Sequence, residues 1–497
     1  MNSGAAELAK AIAARDLSCR QAVESAIARI DAVDAETRAV ACRRFEAALA
    51  EADEADRALA SGRSSGELHG VPITVKECLA VTGLPTTFGI ETRRDDRASS
   101  DDPYVARLRA AGAIVVATTN VAQLLAFAES DNPVYGRTSN PWDHDRSSGG
   151  SSGGEGVLTG AGASPLGVGT DIGGSVRIPA TWCGAVGFKP SAGVTPDVGT
   201  GSFPVLGPIA SQVGVLAPTV NDAVLGMRVI SNGAVGHEAD FRAGLTVAMS
   251  VDDGVFAVAP AVRRAVSEAA GVLEAAGCRI VEWSLPGEEA LGLLYAALGY
   301  GIAPHFTALL KGSKTDRRVK QLISLSRLPL PVNASAAWVL DRLGQRSLAG
   351  AARLFRAPRD EAAFASLVEQ VSQFRLATAT QLASRGIDAV LSPTAALPAI
   401  RHGASYDLGL MGSYAAVYNT LGWPAGTVPF TRIRPGEESD RDTGRDRVLK
   451  KAKETEVGSA GLPIGVQLSA PTGADDFVLS LMRTVESGIK PGLPRVS

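Results

Sequence analysis

The sequence predicts an α/β protein built around one mixed or mostly parallel β-sheet. Apolar strand candidates alternate with helical stretches along most of the chain, which is typical of this fold class. The 497 residues, 45% of them hydrophobic and 20% charged, have the composition of a soluble globular protein that buries a large core. No internal repeat and no Pro-rich linker divides the chain, so one large sheet is favoured over several small domains.

The first 65 residues are expected to form helices that pack on the outside of this core. Ser18 and Gln21 form a capping box, and the apolar residues after them recur at helical spacing. Another helix is expected from Glu46 to Ala60. We therefore assign residues 1–65 to an N-terminal helical segment and residues 66–497 to a single α/β domain.

From His69 onwards, strand and helix candidates follow one another. The predicted strands are short apolar runs, and they cover residues 71–76, 113–118, 245–249, 279–283, 389–391, 426–430 and 464–468. The predicted helices cover residues 102–111, 260–276, 360–384 and 475–486. A stretch at residues 435–456 carries both signs of charge, which predicts a solvated insertion with one helical turn rather than an arm that binds nucleic acid.

The charge balance and the cysteine pattern exclude several classes of function. Lys and Arg total 49 against 52 Asp and Glu, a formal net charge of −3. This leaves no cationic excess to neutralise phosphates, so nucleic acid is not expected as a partner. The five cysteines contain no CxxC pair, which indicates neither a disulfide framework nor a zinc site. Phe241 follows His237 where an HExxH helix would have its second ligand, so neither a metal nor a cofactor is expected.

We expect no segment that directs the chain into or through a membrane. The N-terminal residues lack a basic stretch followed by an apolar one, so a signal peptide is not expected. The longest uncharged run of the second half, residues 290–310, contains three glycines and Pro304, which a lipid-spanning helix tolerates poorly. A cytoplasmic location is therefore predicted.

The glycine-rich run from Gly149 to Gly154 leaves three interpretations open. A flexible linker would not continue directly into the apolar segment that follows. A phosphate-binding loop would need a Gly-Lys-Ser/Thr sequence, which is missing. The third interpretation is a tight turn that presents the hydroxyls of Ser151 and Ser152. Both serines fit a G-x-S-x-G pattern, but the match carries little weight in so glycine-rich a stretch.

The segment from Gly169 to Arg177 is more informative, because Gly173 and Gly174 precede a hydroxyl. Unobstructed backbone amides at this point would hold an acyl oxygen while Ser175 attacks the carbonyl carbon. A glycine turn that only allows close packing fits the segment equally well.

A serine nucleophile needs a base, and the histidines at 237, 305 and 402 stand in unremarkable contexts. Lys76 ends an apolar strand, where burial would favour its neutral form. Neutrality near pH 7 requires a lysine pKa to fall by about 3 units from its reference of about 10.4. On its own, a lysine at a strand end is more often a surface residue.

In combination, Lys76, the two glycine-rich segments and residues 178–190 resemble the amidase signature family. The motifs occur in the family's order across residues 66–215, and residues 461–467 fit as well. Similarity to the fatty-acid amide hydrolases within that family is found at residues 153–156, 164–175, 414–419 and 423–429. Unlike the animal enzymes of that group, this chain is not expected to carry a membrane-spanning N-terminal helix.

The resemblance implies a single domain whose twisted mixed sheet is covered by helices on both faces. It also implies a Ser-Ser-Lys triad in which Ser175 is the nucleophile, Ser151 the bridging serine and Lys76 the base. The oxyanion would be stabilised by the backbone N–H groups of Ile172, Gly173, Gly174 and Ser175. Supporting roles are implied for Ser152, Asp171 and Arg177.

The implied reaction is amide hydrolysis through an acyl-enzyme, on small molecules with a hydrophobic or fatty acyl group. Two other functions stay open: the glutaminase (A) subunit of a glutamyl-tRNA amidotransferase, and a non-catalytic amide-binding protein. The second is disfavoured because all three catalytic positions are filled. Residues 321–345 interleave apolar and cationic side chains, which fits a peripheral membrane contact, a helix pair over the acyl pocket or a homodimer contact.

Overall fold

The structure is a computed structural model, and it describes residues 4–196, 207–237, 239, 241–327 and 330–489. Of the two predicted segments, residues 1–65 include residues 1–3, which lie outside the described ones. Residues 66–497 include residues 197–206, 238, 240, 328, 329 and 490–497, which also lie outside them. The β-strands within the described ranges are β1 (Val40–Arg43), β2 (Pro72–Lys76), β3 (Ile114–Thr119), β4 (Asp131–Asn132), β5 (Gly136–Arg137), β6 (Gly167–Asp171), β7 (Val186–Lys189), β8 (Gln212–Ala217), β9 (Thr246–Met249), β10 (Arg279–Glu282), β11 (Ala389–Pro393), β12 (Ala425–Arg432) and β13 (Pro463–Ser469).

Helices connect and flank these strands. The α-helices are α1 (Ala5–Ala13), α2 (Cys19–Thr37), α3 (Phe45–Ala60), α4 (Pro103–Ala110), α5 (Gly153–Gly160), α6 (Arg177–Cys183), α7 (Val220–Ile230), α8 (Pro260–Ala275), α9 (Gly287–Leu309), α10 (Arg317–Arg327), α11 (Leu330–Arg342), α12 (Arg346–Leu354), α13 (Glu361–Ser384), α14 (Ser413–Leu421), α15 (Arg447–Glu456) and α16 (Asp475–Ser487). None of the helices in the part of the chain that the structure describes is long and apolar enough to cross a lipid bilayer.

Eleven of the described strands form one mixed sheet, in the order β1-β3-β2-β6-β8-β7-β12-β13-β11-β9-β10. Strand β2 runs parallel to β3 and β6, and β9 runs parallel to β10 and β11. The other neighbouring pairs are antiparallel. Every residue of β2, β3 and β8 is buried, as expected for strands covered on both faces. The predicted α/β class with a mixed sheet and flanking helices is confirmed.

The N-terminal segment differs from its prediction in one element. The Ser18–Gln21 capping box begins α2 as expected. However, β1 lies between α2 and α3 and pairs antiparallel with β3 at the edge of the main sheet. Over residues 4–65, which the structure describes, this segment is therefore not purely helical, because β1 completes the sheet. The boundary after residue 65 stays a prediction.

The charged insertion at residues 435–456 is more ordered than a solvated excursion with one helical turn. It ends in α15, a helix of 10 residues whose N-cap is Asp446. Its Arg441 is buried against Glu456, which is itself fully buried. The prediction of one helical turn was wrong. The prediction of a solvated stretch fails for Arg441 and Glu456, which pair with each other inside the protein, a tertiary contact that composition does not reveal.

The sheet topology brings two functional segments to the same edge. Strands β2 and β6 are parallel neighbours, with Thr74 opposite Gly167 and Val75 opposite Val168. Parallel strands have their carboxyl ends at one edge of the sheet. The last residue of β2 is Lys76 and the last of β6 is Asp171, so the lysine and the glycine turn after Asp171 share that edge.

Candidate active site

Buried basic side chains mark the site. Lys76, Arg146, Arg177 and Lys189 are among the largest fully buried side chains of the described residues. Lysine and arginine are almost never fully buried unless they are paired or hydrogen-bonded, since removing a charge from water is costly. Two of them, Lys76 and Arg177, are residues that the sequence assigned to the site.

Lys76 lies within hydrogen-bonding distance of Ser151, as the sequence predicted for the base and the bridging serine. Its Nζ is 2.7 Å from Ser151 Oγ. The same nitrogen is 2.8 Å from Thr170 Oγ1 and 3.3 Å from the Thr170 carbonyl oxygen. The lysine and Ser151 are both buried, so these contacts form away from bulk water. Thr170 was not among the predicted site residues. It reaches Lys76 because it lies one residue before Asp171, at the end of β6.

The turn that carries Ser151 is held by backbone contacts with a second loop. Ser130 N donates to the Gly149 carbonyl at 2.9 Å, and Ser130 Oγ donates to the Ser151 carbonyl at 3.3 Å. A Cβ atom on Gly150 would overlap the backbone of residues 127–129. Glycine is required at 150 because the two loops approach too closely for any side chain.

The Ser175 turn packs against the Ser151 turn. The Ser152 amide donates to the Ser175 carbonyl at 3.2 Å, and Ser175 itself is partly exposed while Ser151 and Ser152 are buried. Ser152 Oγ is buried and has no hydrogen-bond partner among the residues that the structure describes. Gly174 adopts φ +108°, a conformation that favours glycine. Ser175 is therefore the most accessible of the three serines, and a backbone hydrogen bond joins its turn to the Ser151 turn.

Contrary to the sequence prediction, the Gly174 amide does not face an oxyanion site but is hydrogen-bonded within the turn. It donates to Asp171 Oδ1 at 2.8 Å, and the Val176 amide donates to Asp171 Oδ2 at 3.1 Å. The Asp171 carboxylate therefore shapes the turn by holding two of its amides. Because the Gly174 amide is already engaged, it drops out of the predicted oxyanion set, which leaves Ile172, Gly173 and Ser175.

Asp171 and Arg177, for which the resemblance implied supporting roles, form a fully buried ion pair beside this turn. Arg177 donates to both oxygens of Asp171, at 2.9 and 3.0 Å. Burial by itself would raise the pKa of Asp171, but the Arg177 guanidinium and hydrogen bonds hold the pKa of this carboxyl well below its usual range. The carboxylate is therefore charged at neutral pH and accepts its hydrogen bonds from the amides of the turn in that form.

Two residues that sequence reasoning missed complete the buried network. Arg177 also donates to Gln467 Oε1 and Asn419 Oδ1, both at 2.6 Å. Asn419 Nδ2 donates in turn to Asp171 Oδ1 at 3.0 Å. Both residues lie in segments that the sequence had matched to motifs, residues 414–419 and 461–467. That match was the available signal, but it did not tell which side chain reaches Arg177.

The segment at residues 321–345 covers parts of α10 and α11. Within it, residues 328 and 329 and the side chains of residues 330–333 lie outside the described ones. The large apolar side chains of Trp338, Val339 and Leu343 are exposed, and the Arg342 guanidinium lies 4.1 Å from the centre of the Trp338 ring.

Comparisons with known proteins identify the family of the chain. A family model described as "Amidase" matches residues 21–479. The chain is 33% identical over 468 residues to fatty-acid amide hydrolase 1 of Sus scrofa, covering 87% of this chain and 78% of the relative. It is 29% identical to fatty acid amide hydrolase 1 of Caenorhabditis elegans, with 95% and 86% covered. A solved fatty acid amide hydrolase superposes with a TM-score of 0.84 at 25% identity, covering 100% of this chain and 86% of the other.

Proposed function

Because the chain belongs to the amidase family and is an amide-cleaving hydrolase, we propose that it cleaves carboxylic amides through Ser175, Ser151 and Lys76. The observation that carries this proposal is the buried 2.7 Å contact between Lys76 Nζ and Ser151 Oγ, beside the turn that bears Ser175. A lysine in this position serves as a base because removal from water favours its neutral form.

The proposed reaction begins with a proton relay. Neutral Lys76 takes the proton of Ser151, and Ser151 takes the proton of Ser175 as Ser175 Oγ attacks the amide carbonyl carbon. The relay then returns a proton to the leaving amine. Water hydrolyses the resulting acyl-enzyme and releases the carboxylic acid.

Backbone amides of the Ser175 turn stabilise the oxyanion in this scheme. We assign the amides of Ile172, Gly173 and Ser175 to this task, since the Gly174 amide is engaged by Asp171. Asp171 and Arg177 keep the turn in place, and Ser152 ties it to the Ser151 turn. Loss of one such donor typically costs about 3–4 kcal/mol of transition-state stabilisation.

The proposed substrates are small-molecule amides with a hydrophobic or fatty acyl group. Apolar side chains border the Ser175 turn: added Cβ atoms on Gly173 and Gly174 would contact Leu294, Ala415 and Ile178. The names of the two relatives above point to the same substrate class. As part of this proposal, residues 321–345 make a peripheral contact with a membrane.

Two substitutions test the triad. The variants Ser175→Ala and Lys76→Ala should fold, because each is a truncation that leaves the backbone contacts of the site in place. We expect Ser175→Ala to lose hydrolysis and labelling by a fluorophosphonate probe. We expect Lys76→Ala to turn over slowly, with a changed dependence of rate on pH.

The assay uses acyl amides of graded chain length, with glutamine included. Near-normal turnover by Ser175→Ala would refute the nucleophile assignment, and an unchanged pH profile in Lys76→Ala would refute the base. Hydrolysis of glutamine alone, together with co-purification of a tRNA-binding partner, would favour the amidotransferase subunit instead.

A further inference from the structure

Glu155 is a buried carboxyl that the proposed mechanism does not use. It lies in the first turn of α5, and its side chain is fully buried. Its two oxygens contact the hydroxyls of two residues close to Lys76 in the sheet: Oε2 is 2.6 Å from Thr74 Oγ1 and Oε1 is 2.8 Å from Thr119 Oγ1. Thr74 lies two residues before Lys76 and so on the same face of β2. Thr119 is the residue of β3 opposite Lys76.

The space for this carboxyl is built into the neighbouring strand. A Cβ atom on Gly167 would overlap Glu155 Oε2, so only glycine at this point of β6 leaves room. The carboxyl therefore occupies a fitted niche between β2, β3 and β6 rather than a gap in loose packing.

The number of hydroxyl protons available around Thr74 indicates the protonation state of Glu155. Thr74 Oγ1 also lies 2.9 Å from Ser164 Oγ, which lies 2.9 Å from the Leu166 carbonyl oxygen. A carbonyl only accepts, so the one Ser164 proton goes to Leu166. The one Thr74 proton then goes to Ser164. The proton of the 2.6 Å contact between Thr74 Oγ1 and Glu155 Oε2 must then come from Glu155, which donates to Thr74.

The remaining contact of the carboxyl fits the same assignment. Thr119 donates to Glu155 Oε1, as it would to the carbonyl oxygen of a neutral acid. An ionised Glu155 would take the Thr74 proton and leave the Thr74 and Ser164 oxygens facing each other at 2.9 Å without a proton between them. Such a contact is unfavourable inside a protein.

The electrostatics of the niche point the same way. Burial raises the pKa of Glu155 to about 8, although the hydroxyls of Thr74 and Thr119 and the charge of Lys76 act to lower it.

Lys76, in its ammonium form, is the group whose charge acts on the Glu155 carboxyl. Strands β3 and β8 carry no titratable side chain. The other ionisable groups on elements around α5 make contacts of their own. Asp171 of β6 pairs with Arg177 of α6, Cys183 of α6 donates to Ser148, and Arg29 of α2 donates to Gly162. The remaining charged residues of α2 lie in contacts with other partners: Arg20, Glu24, Asp31, Asp34 and Glu36.

We infer that Glu155 is held as a neutral carboxylic acid, and that it thereby withholds a negative charge from Lys76 and keeps the lysine in the form that acts as base. This inference rests on the proposed function. Glu155 is a positioning residue in this scheme, because it acts on the substrate only through Lys76. Ionisation of Glu155 would stabilise the Lys76 ammonium and weaken the base.

The substitution Ser164→Ala tests this link. Without Ser164, the Thr74 proton becomes available to Glu155, which favours the carboxylate, and the carboxylate favours the Lys76 ammonium. We expect the acid limb of the kcat/KM profile to move to higher pH, by about half a unit or more. The matched background is Glu155→Gln, whose amide reproduces the neutral acid by donating to Thr74 and accepting from Thr119. Adding Ser164→Ala to that variant should produce no shift.

A second measurement does not depend on turnover. The infrared spectrum of the wild-type protein at pH 7 should contain the C=O stretch of a protonated carboxylic acid that is absent from Glu155→Gln. The inference is overturned if no such band is lost, or if Ser164→Ala shifts the acid limb equally with Glu and Gln at position 155. An inactive wild-type protein would instead count against the proposed function, and the infrared band would still decide the state of Glu155.

Discussion

Lys189 shows how a buried charge makes stability depend on pH. It ends β7, is buried, and donates to the carbonyls of Pro190 and Trp423 at 2.8 and 2.7 Å. Burial, with help from the nearby Arg177, lowers the pKa of Lys189 to about 7, despite the opposing effects of Asp171 and Asp475. In the unfolded chain, a lysine has a pKa of about 10.4.

These two values predict the sign of the effect. Between about pH 7 and 10 the unfolded chain holds a proton on Lys189 that the folded protein lacks, so the free energy of unfolding rises with pH. The contribution of Lys189 is at most about 1.4 kcal/mol per pH unit. We expect Lys189→Met to remove this pH dependence. In urea unfolding, the free energy of unfolding of the variant should therefore rise relative to that of the wild type as the pH falls from 9 to 7. The exposed Lys450→Met is the control, and parallel pH dependence of wild type and Lys189→Met would contradict the prediction.

At the residue level, the sequence predicted side chains whose chemistry is local and missed those whose role depends on tertiary contacts. Lys76 and Ser151 were predicted, and their contact is present. Asn419 and Gln467 were not, because they lie 242 and 290 residues from Arg177 along the chain. The predicted oxyanion set included the Gly174 amide, which donates to Asp171 instead, since the hydrogen-bond partner of a backbone amide cannot be read from glycine spacing.

At the scale of secondary structure, the elements nearest the site could not be predicted from the sequence because they are rich in glycine. Helix α5 contains Gly153, Gly154, Gly156 and Gly160, and β6 contains two glycines in five residues. Glycine disfavours both helix and strand by intrinsic propensity, so neither element was predicted. The structure gives the reason for the glycines: Cβ atoms at 154 and 156 would overlap the backbone at Asn120 and the ring of Pro179. Close packing around the site overrides local preference here.

The buried ion pair of the charged insertion provides a test at the same scale. Arg441 Nε donates to Glu456 Oε1 at 3.0 Å, and the Arg441 guanidinium also donates to the Ala257 carbonyl and lies over the Phe256 ring. We expect Glu456→Gln to lower the free energy of unfolding by about 3–5 kcal/mol, because it leaves the buried Arg441 charge uncompensated. Denaturant titration measures this loss.

The control for this prediction lies on the same helix. Glu454 makes an exposed ion pair with Lys451, so Glu454→Gln should cost less than about 1 kcal/mol. Equal losses in the two variants would show that the insertion does not depend on its buried pair.

At the scale of the whole molecule, apolar patterning predicted seven of the eleven strands that the structure describes in the main sheet, whereas the surface segment at 321–345 fits several roles by sequence alone. Large apolar side chains are normally covered, yet Trp338 and Leu343 are 57% and 59% exposed. They accompany the cationic Arg327 and Arg342 on α10 and α11. An apolar face with cationic neighbours is suited to an anionic bilayer surface.

We therefore expect the wild-type protein to co-sediment with vesicles that contain anionic lipid, and to be released in part by salt, because salt screens the cationic contribution. The double variant Trp338→Glu/Leu343→Glu should bind several-fold less, since it places two carboxylates on the apolar face. The matched control is Leu376→Glu on α13, which changes a side chain that is 70% exposed outside this segment and should leave vesicle binding intact. Absence of binding by the wild type would contradict the membrane contact. A change of oligomeric state in the double variant, measured by sedimentation velocity, would identify the face as a dimer contact instead.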